Sequence, residues 1–183
     1  MKMAAIKEPM LALIEDAHWC DEILRTSDSQ SARRAYARSL FALIEGTIWV
    51  FKSVLLGLNN EKAIEINIQE LAILSEESFS LNEKGEPKTI TKFLPLPSNL
   101  LFVAKCIDRY FGIKIDLNTG SNKWRAFKAS QSIRNRVMHP KSKLEFMITD
   151  EEIATLENTC SWFSDIVIGV LDGLDENIKS YNA

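Results

Sequence analysis

The chain has 183 residues, 46% of them hydrophobic and 26% charged, with a formal net charge of -3 at pH 7. Those values exclude a disordered or fibrous chain and suffice for one domain with an apolar core, while being short for two. Cysteines 20, 106 and 160 form no CxxC and no close pair, which argues against a disulfide framework or a thiolate zinc site and fits a reducing cytoplasm. The stretch Met1 to Pro9 lacks the long apolar segment of a signal peptide, and no run approaches the roughly 18 apolar residues of a membrane span. A cytoplasmic protein away from membranes is expected.

Apolar residues recur at helical spacing through most of the chain. Met10, Leu13, Ile14, Ala17, Ile23 and Leu24 predict a first helix starting at Pro9, a residue tolerated early in a helix. Thr26-Ser27-Asp28-Ser29 then supplies N-cap residue types. Tyr36, Leu40, Leu43, Thr47, Val50 and Val54 mark a second helix reaching about Leu58 and ending at Asn59-Asn60. A third fits 61 to 78 on Ile64, Ile68, Leu71 and Leu74. Between 80 and 97, Asn82-Glu83-Lys84-Gly85-Glu86-Pro87 is turn chemistry and Thr89-Ile90-Thr91 can extend, which predicts a loop or small hairpin. A fourth helix is expected from Ser98 to Phe111 and a fifth from about 122 to 138. The last starts at Thr149, where Thr149-Asp150-Glu151-Glu152 spells a capping box. The expected fold is all-α, a single-domain up-and-down bundle of five or six helices over residues 1 to 183.

The fifth helix carries the chemistry. Residues 117 to 144 hold seven cations (Lys123, Arg125, Lys128, Arg134, Arg136, Lys141, Lys143) and no Asp or Glu, so the rest of the chain nets -10. A basic patch on an acidic protein points to a polyanionic partner at one place. Within it, Arg134-Asn135-Arg136-Val137-Met138-His139 precedes Pro140 and sets one of only two histidines beside two arginines. A guanidinium holds phosphoryl oxygens and an imidazole moves a proton. Asn135 lies four residues before His139 and shares its helical face, whereas Arg134 diverges by about 140° unless the helix ends first. Pro140 predicts that it does end, with His139 swung off the regular path.

Arg134, Asn135 and His139, an Arg-Asn followed after three intervening residues by His near the end of a penultimate helix, resemble the HEPN superfamily (higher eukaryotes and prokaryotes nucleotide-binding domains). The resemblance implies a HEPN-like helical domain, a homodimer and metal-independent endoribonuclease activity without a cofactor. It also implies a toxin-antitoxin or antiviral-defence setting, with an antitoxin protein as a further partner. Arg134 would then bind the scissile phosphate, His139 transfer a proton or contact phosphate, and Asn135 orient. Glu45, from an earlier helix, is the candidate for an added polar residue. Lys123, Arg125, Lys128, Arg136, Lys141 and Lys143 would contact RNA.

Plainer readings stand beside these. Many HEPN-like domains bind nucleotides, RNA or proteins without catalysis, and a helical bundle could present the basic window to an acidic protein. Arg134 can pair with a carboxylate, Glu45 with an arginine, and His139 can serve only as a C-cap. Arg33, Arg34 and Arg38 either extend the nucleic-acid surface or form a solvated helix face. The four tryptophans read as core or dimer-interface anchors, and the cysteines as small buried apolar groups. Glu15-x-x-His18 has the di-iron spacing but no second copy, so His18 reads as a surface or partly packed residue.

Overall fold

The computed structural model describes residues 4–181, leaving Met1–Met3 of the N-terminal segment and the last two residues outside it. Six α-helices and one β-hairpin follow in order: α1 (Ala4–Ser27), α2 (Gln30–Asn60), α3 (Ile68–Leu74), β1 (Glu77–Leu81), β2 (Pro87–Thr91), α4 (Leu96–Phe111), α5 (Asn122–Met138) and α6 (Asp150–Tyr181). A short 3-10 turn, Leu144–Phe146, joins α5 to α6. The all-α bundle is therefore as expected.

Local chemistry explains the boundaries. Ser29 caps α2 by accepting the Ala32 N–H at 3.2 Å. Gly112 closes α4 in the left-handed conformation, φ 70°, which glycine adopts without steric cost. At α6 the capping box forms in full: the Thr149 hydroxyl accepts the Glu152 N–H at 3.2 Å, and the Glu152 carboxylate accepts the Thr149 N–H at 3.0 Å.

Two boundaries differ from expectation. α1 starts five residues before Pro9, which sits inside it. So close to the helix end, the missing proline N–H removes a single early hydrogen bond. The third helix, expected over 61 to 78, shrinks to Ile68–Leu74. Asn67 caps it by accepting the Glu70 N–H at 2.9 Å, and the Asn59 side chain takes the Ile66 N–H at 2.9 Å, so the residues between close as a turn. Glu76, at φ 54°, then redirects the chain into β1.

The hairpin pairs Glu77 with Thr91 and Leu81 with Pro87. Its turn is built on Asn82, whose side-chain oxygen accepts the N–H groups of Lys84 and Glu86, both at 2.9 Å. The turn also needs Gly85 at φ 77°.

α2 is the axis of the bundle, packing against α1, α3, α4, α5 and α6. That position accounts for its apolarity: one 18-residue window reaches a mean hydropathy of 1.6, long and apolar enough to cross a membrane, and 44% of it is buried in the bundle. The main core joins Phe41 of α2 to Phe127 and Trp124 of α5 and Trp162 of α6; Trp124 meets Trp162 edge-on with centroids 6.0 Å apart. A smaller cluster of Leu55, Ile66, Leu74 and Cys106 lies at the α3–α4 end. Beside α3, Lys52 is only 2% exposed and its ammonium meets Glu76 at 2.8 Å, tying the root of the hairpin to α2.

Of the tryptophans, Trp124 and Trp162 are core, whereas Trp19 and Trp49 are 61% and 58% exposed and are not. Cys20 and Cys106 are buried and Cys160 is half-buried. His18 is a surface residue 3.7 Å from Glu22.

Candidate functional site

α5 turns Trp124, Phe127, Ser130, Ile133 and Val137 inward, at spacings of three and four that keep them on one face. The helix stops at Met138. His139 is its C-cap at φ -131° and ψ 56°, off the helical path as Pro140 requires, and its N–H bonds the Asn135 carbonyl at 3.0 Å. The imidazole is exposed and makes no hydrogen bond or ion pair with any described residue.

Arg134 reaches across to α2. One of its terminal nitrogens donates to both Glu45 carboxylate oxygens, at 2.9 and 3.2 Å, and the other donates to the Asn135 side-chain oxygen at 3.2 Å. Glu45, Arg134 and Asn135 thus form one hydrogen-bonded chain, which the Asn135 backbone continues to His139. The plainer reading of Glu45 is realised as well, since its partner is an arginine, at the surface. Arg38, two turns before Glu45 on the same face of α2, donates to the Val137 carbonyl at 3.3 Å and so sits at the negative end of α5.

Arg136 does something different. Its guanidinium donates to the carbonyls of Glu145 and Met147, at 2.9 and 2.7 Å, and to the Glu152 carboxylate at 2.6 Å, holding the loop that follows His139. The N-terminus of α2 grips the same loop. Gln30 exchanges two hydrogen bonds of 2.9 Å with the Ile148 backbone. Arg33 bonds the Ile148 carbonyl at 2.9 Å and pairs with Asp28 and Asp150 at 2.7 and 2.6 Å. Its hydrogen bond holds the Asp28 carboxyl below the usual range. Arg34 donates to the Phe146 carbonyl at 3.2 Å, its guanidinium 5.7 Å from the centre of the Phe146 ring. Arg33 and Arg34 are therefore not a solvated helix face. Two arginines within the first five residues of a helix oppose its dipole, a signal that their partners lie elsewhere.

The remaining cations divide. Lys123 lies 3.7 Å from Asp165, and Arg125 folds back on Gly120 and Asn122. Lys128, Lys141 and Lys143 are exposed, with ammonium groups unpaired among the described residues. A window free of acids along the chain is thus threaded in space by Glu45, Glu145, Glu152 and Asp165. What stays open is one partly neutralised guanidinium, a free imidazole and three lysines. Among the described residues, no three of His, Cys, Asp and Glu converge as metal ligands. The chain matches no protein-family model, no curated protein and no solved structure.

Proposed function

We propose that this protein is a metal-independent endoribonuclease of HEPN type, working on RNA as a homodimer in a toxin or phage-defence setting. The observation that carries the reading is Arg134, steadied at the surface by Glu45 and Asn135, five residues before an imidazole at the α5 C-terminus that has no partner among the described residues. RNA brings its own nucleophile, so cleavage needs in-line positioning, a base, an acid and charge stabilisation. Arg134 exchanges a carboxylate contact for phosphoryl oxygens, and His139 is assigned the role of proton carrier. Glu45, once released, is a carboxylate able to accept the 2′-hydroxyl proton; a two-fold dimer would add a second imidazole. Lys128, Lys141 and Lys143 extend the cationic surface toward flanking phosphates.

The test is cleavage of single-stranded RNA by the purified protein in EDTA, beside Arg134→Ala and His139→Ala. Loss of cleavage in both variants, with cyclic-phosphate ends from the wild type, supports the reading. Cleavage that survives His139→Ala refutes it.

A second reading is a non-catalytic module that binds nucleotide, RNA or protein. The Arg134–Glu45 pair favours it, because a carboxylate already satisfies the guanidinium that should hold phosphate. RNA binding without cleavage in the same experiment would select it.

A further inference from the structure

Trp49 is the one large apolar side chain that α2 exposes to solvent, 58% open on a helix that is otherwise the axis of the bundle. It follows Glu45 by four residues and Arg38 by eleven. At about 100° per residue, the three positions fall within about 40° of one another and form a single stripe. Along the helix axis, Trp49 stands about 6 Å from Glu45, and Glu45 about 10 Å from Arg38. Arg134 reaches from α5 onto the middle of this stripe, and Arg38 bonds the end of α5. Ala42, exposed between Arg38 and Glu45, is too small to interrupt the row.

Two observations define what the indole can meet. It makes no hydrogen bond, aromatic contact or cation contact with any described residue; beyond the helix ladder, only the Trp49 carbonyl is used, accepting the Ser53 hydroxyl at 2.9 Å. Its neighbours on the stripe, Ala42, Glu45 and Ser53, are small or polar, so Trp49 is not the centre of an apolar patch of the kind around which a protein interface is built. What remains is a bare aromatic face one turn from the Glu45–Arg134 pair, with a second arginine further along the same row. Single-stranded nucleic acid is held by that combination, aromatic faces taking bases and cations taking the phosphates between them.

We propose that Trp49 stacks an unpaired base of the RNA, beside phosphates held by Arg134 and Arg38. With the RNA reading above as its premise, this role narrows the substrate to single strands and loops. A duplex keeps its bases stacked on one another and presents mainly phosphates and 2′-hydroxyls. Every base has a π-face, so Trp49 selects for strandedness and not for sequence. It carries no proton; it sets which phosphate lies at Arg134.

The probe is a single-stranded 2′-O-methyl RNA of about eight nucleotides, whose blocked nucleophile lets binding be read without cleavage, titrated into the full chain beside a duplex of the same sequence. Trp124 and Trp162 are buried, so quenching of tryptophan emission by the single strand reports an exposed indole. The quench should be lost in Trp49→Phe and kept in Trp19→Phe. Trp49→Ala should weaken single-strand binding by about tenfold, with Trp49→Phe recovering most of it and circular dichroism unchanged. Duplex binding should respond to neither change. Wild-type affinity in Trp49→Ala, alongside weakened binding in Arg134→Ala, would overturn the stacking and leave the ribonuclease reading standing. Trp49-dependent binding by a protein that cleaves no unmodified RNA would do the reverse, and a protein that binds no RNA would lose both. Equal dependence of duplex binding on Trp49 would overturn the stacking, as would a wild-type dimer that Trp49→Ala converts to monomer, by assigning the indole to a second copy.

Discussion

Glu45 and Arg134 stand 89 residues apart in the chain and 2.9 Å apart in space, joining α2 to α5 at the surface. The pair is partly exposed, with 43% of the Glu45 side chain and 27% of the Arg134 side chain open to solvent, so its contribution to stability is small. Its larger effect is electrostatic, since it sets how positive the surface is beside His139. Glu45→Gln should therefore change unfolding free energy by less than about 1 kcal/mol. The same change should tighten binding of a non-cleavable RNA analogue several-fold at low salt, a gain that shrinks as salt is added. Filter binding across a salt series checks this. If Glu45 is the base, cleavage falls in this variant even as binding improves.

Arg134 and Arg136 are two residues apart with opposite roles. Arg136→Ala leaves two carbonyls and the Glu152 carboxylate without their donor and should cost about 1–3 kcal/mol in urea unfolding. Arg134→Ala should cost under about 1 kcal/mol by the same measurement. Equal destabilisation by the two changes would mean that Arg134 is structural too.

The capping box gives a separate handle on α6. Thr149→Ala removes one side of the reciprocal pair with Glu152 and should destabilise by about 1 kcal/mol. The effect should add to that of Thr47→Val, which lies far from it in the bundle, and falls short of additivity with Arg136→Ala, which shares Glu152.

Alkaline pH should loosen the fold. Burial pushes the Cys106 thiol up from 9.0 to about 11 and raises the Tyr36 hydroxyl as well, where contact with Cys160 adds to the effect of burial. A raised acid keeps its proton longer in the folded state than in the unfolded chain. Between the two values the unfolded state loses protons first, so stability is full below about pH 9 and declines toward about pH 11. Urea midpoints measured over that range should fall, and Cys106→Ala should flatten the decline. Iodoacetamide should label Cys106 slowly at pH 8, since the thiol is both protonated and enclosed.

The helices were legible wherever one apolar stripe and one stop signal agreed. α5 runs from Asn122 to Met138 because Ser121 caps it and Pro140 ends it, and both are visible in the chain. α3 was overextended because Ile64 and Ile68 fit a helical stripe equally well when the first lies in a turn; Asn67, the cap between them, was the overlooked sign. The site was half legible. Arg134, Asn135, His139 and Glu45 were all marked by residue type, but nothing linear says that Glu45 reaches Arg134. Nor does the absence of acids around Arg136 and Lys123 reveal Glu152 and Asp165, which arrive from α6. Charge runs are properties of a line, and ion pairs are properties of a packed volume.

The hairpin has a practical consequence. β1 and β2 are each paired on one side only, and Phe79 and Leu81 stand on one exposed face of the ribbon. Two such ribbons could zip together strand to strand and keep adding copies. Pro87, which offers no N–H at the start of β2, and the lysines at 88 and 92 are what discourage it. Acetylation of those two lysines, or crowding at millimolar concentration, would make this ribbon the first place where the protein turns from solution into aggregate.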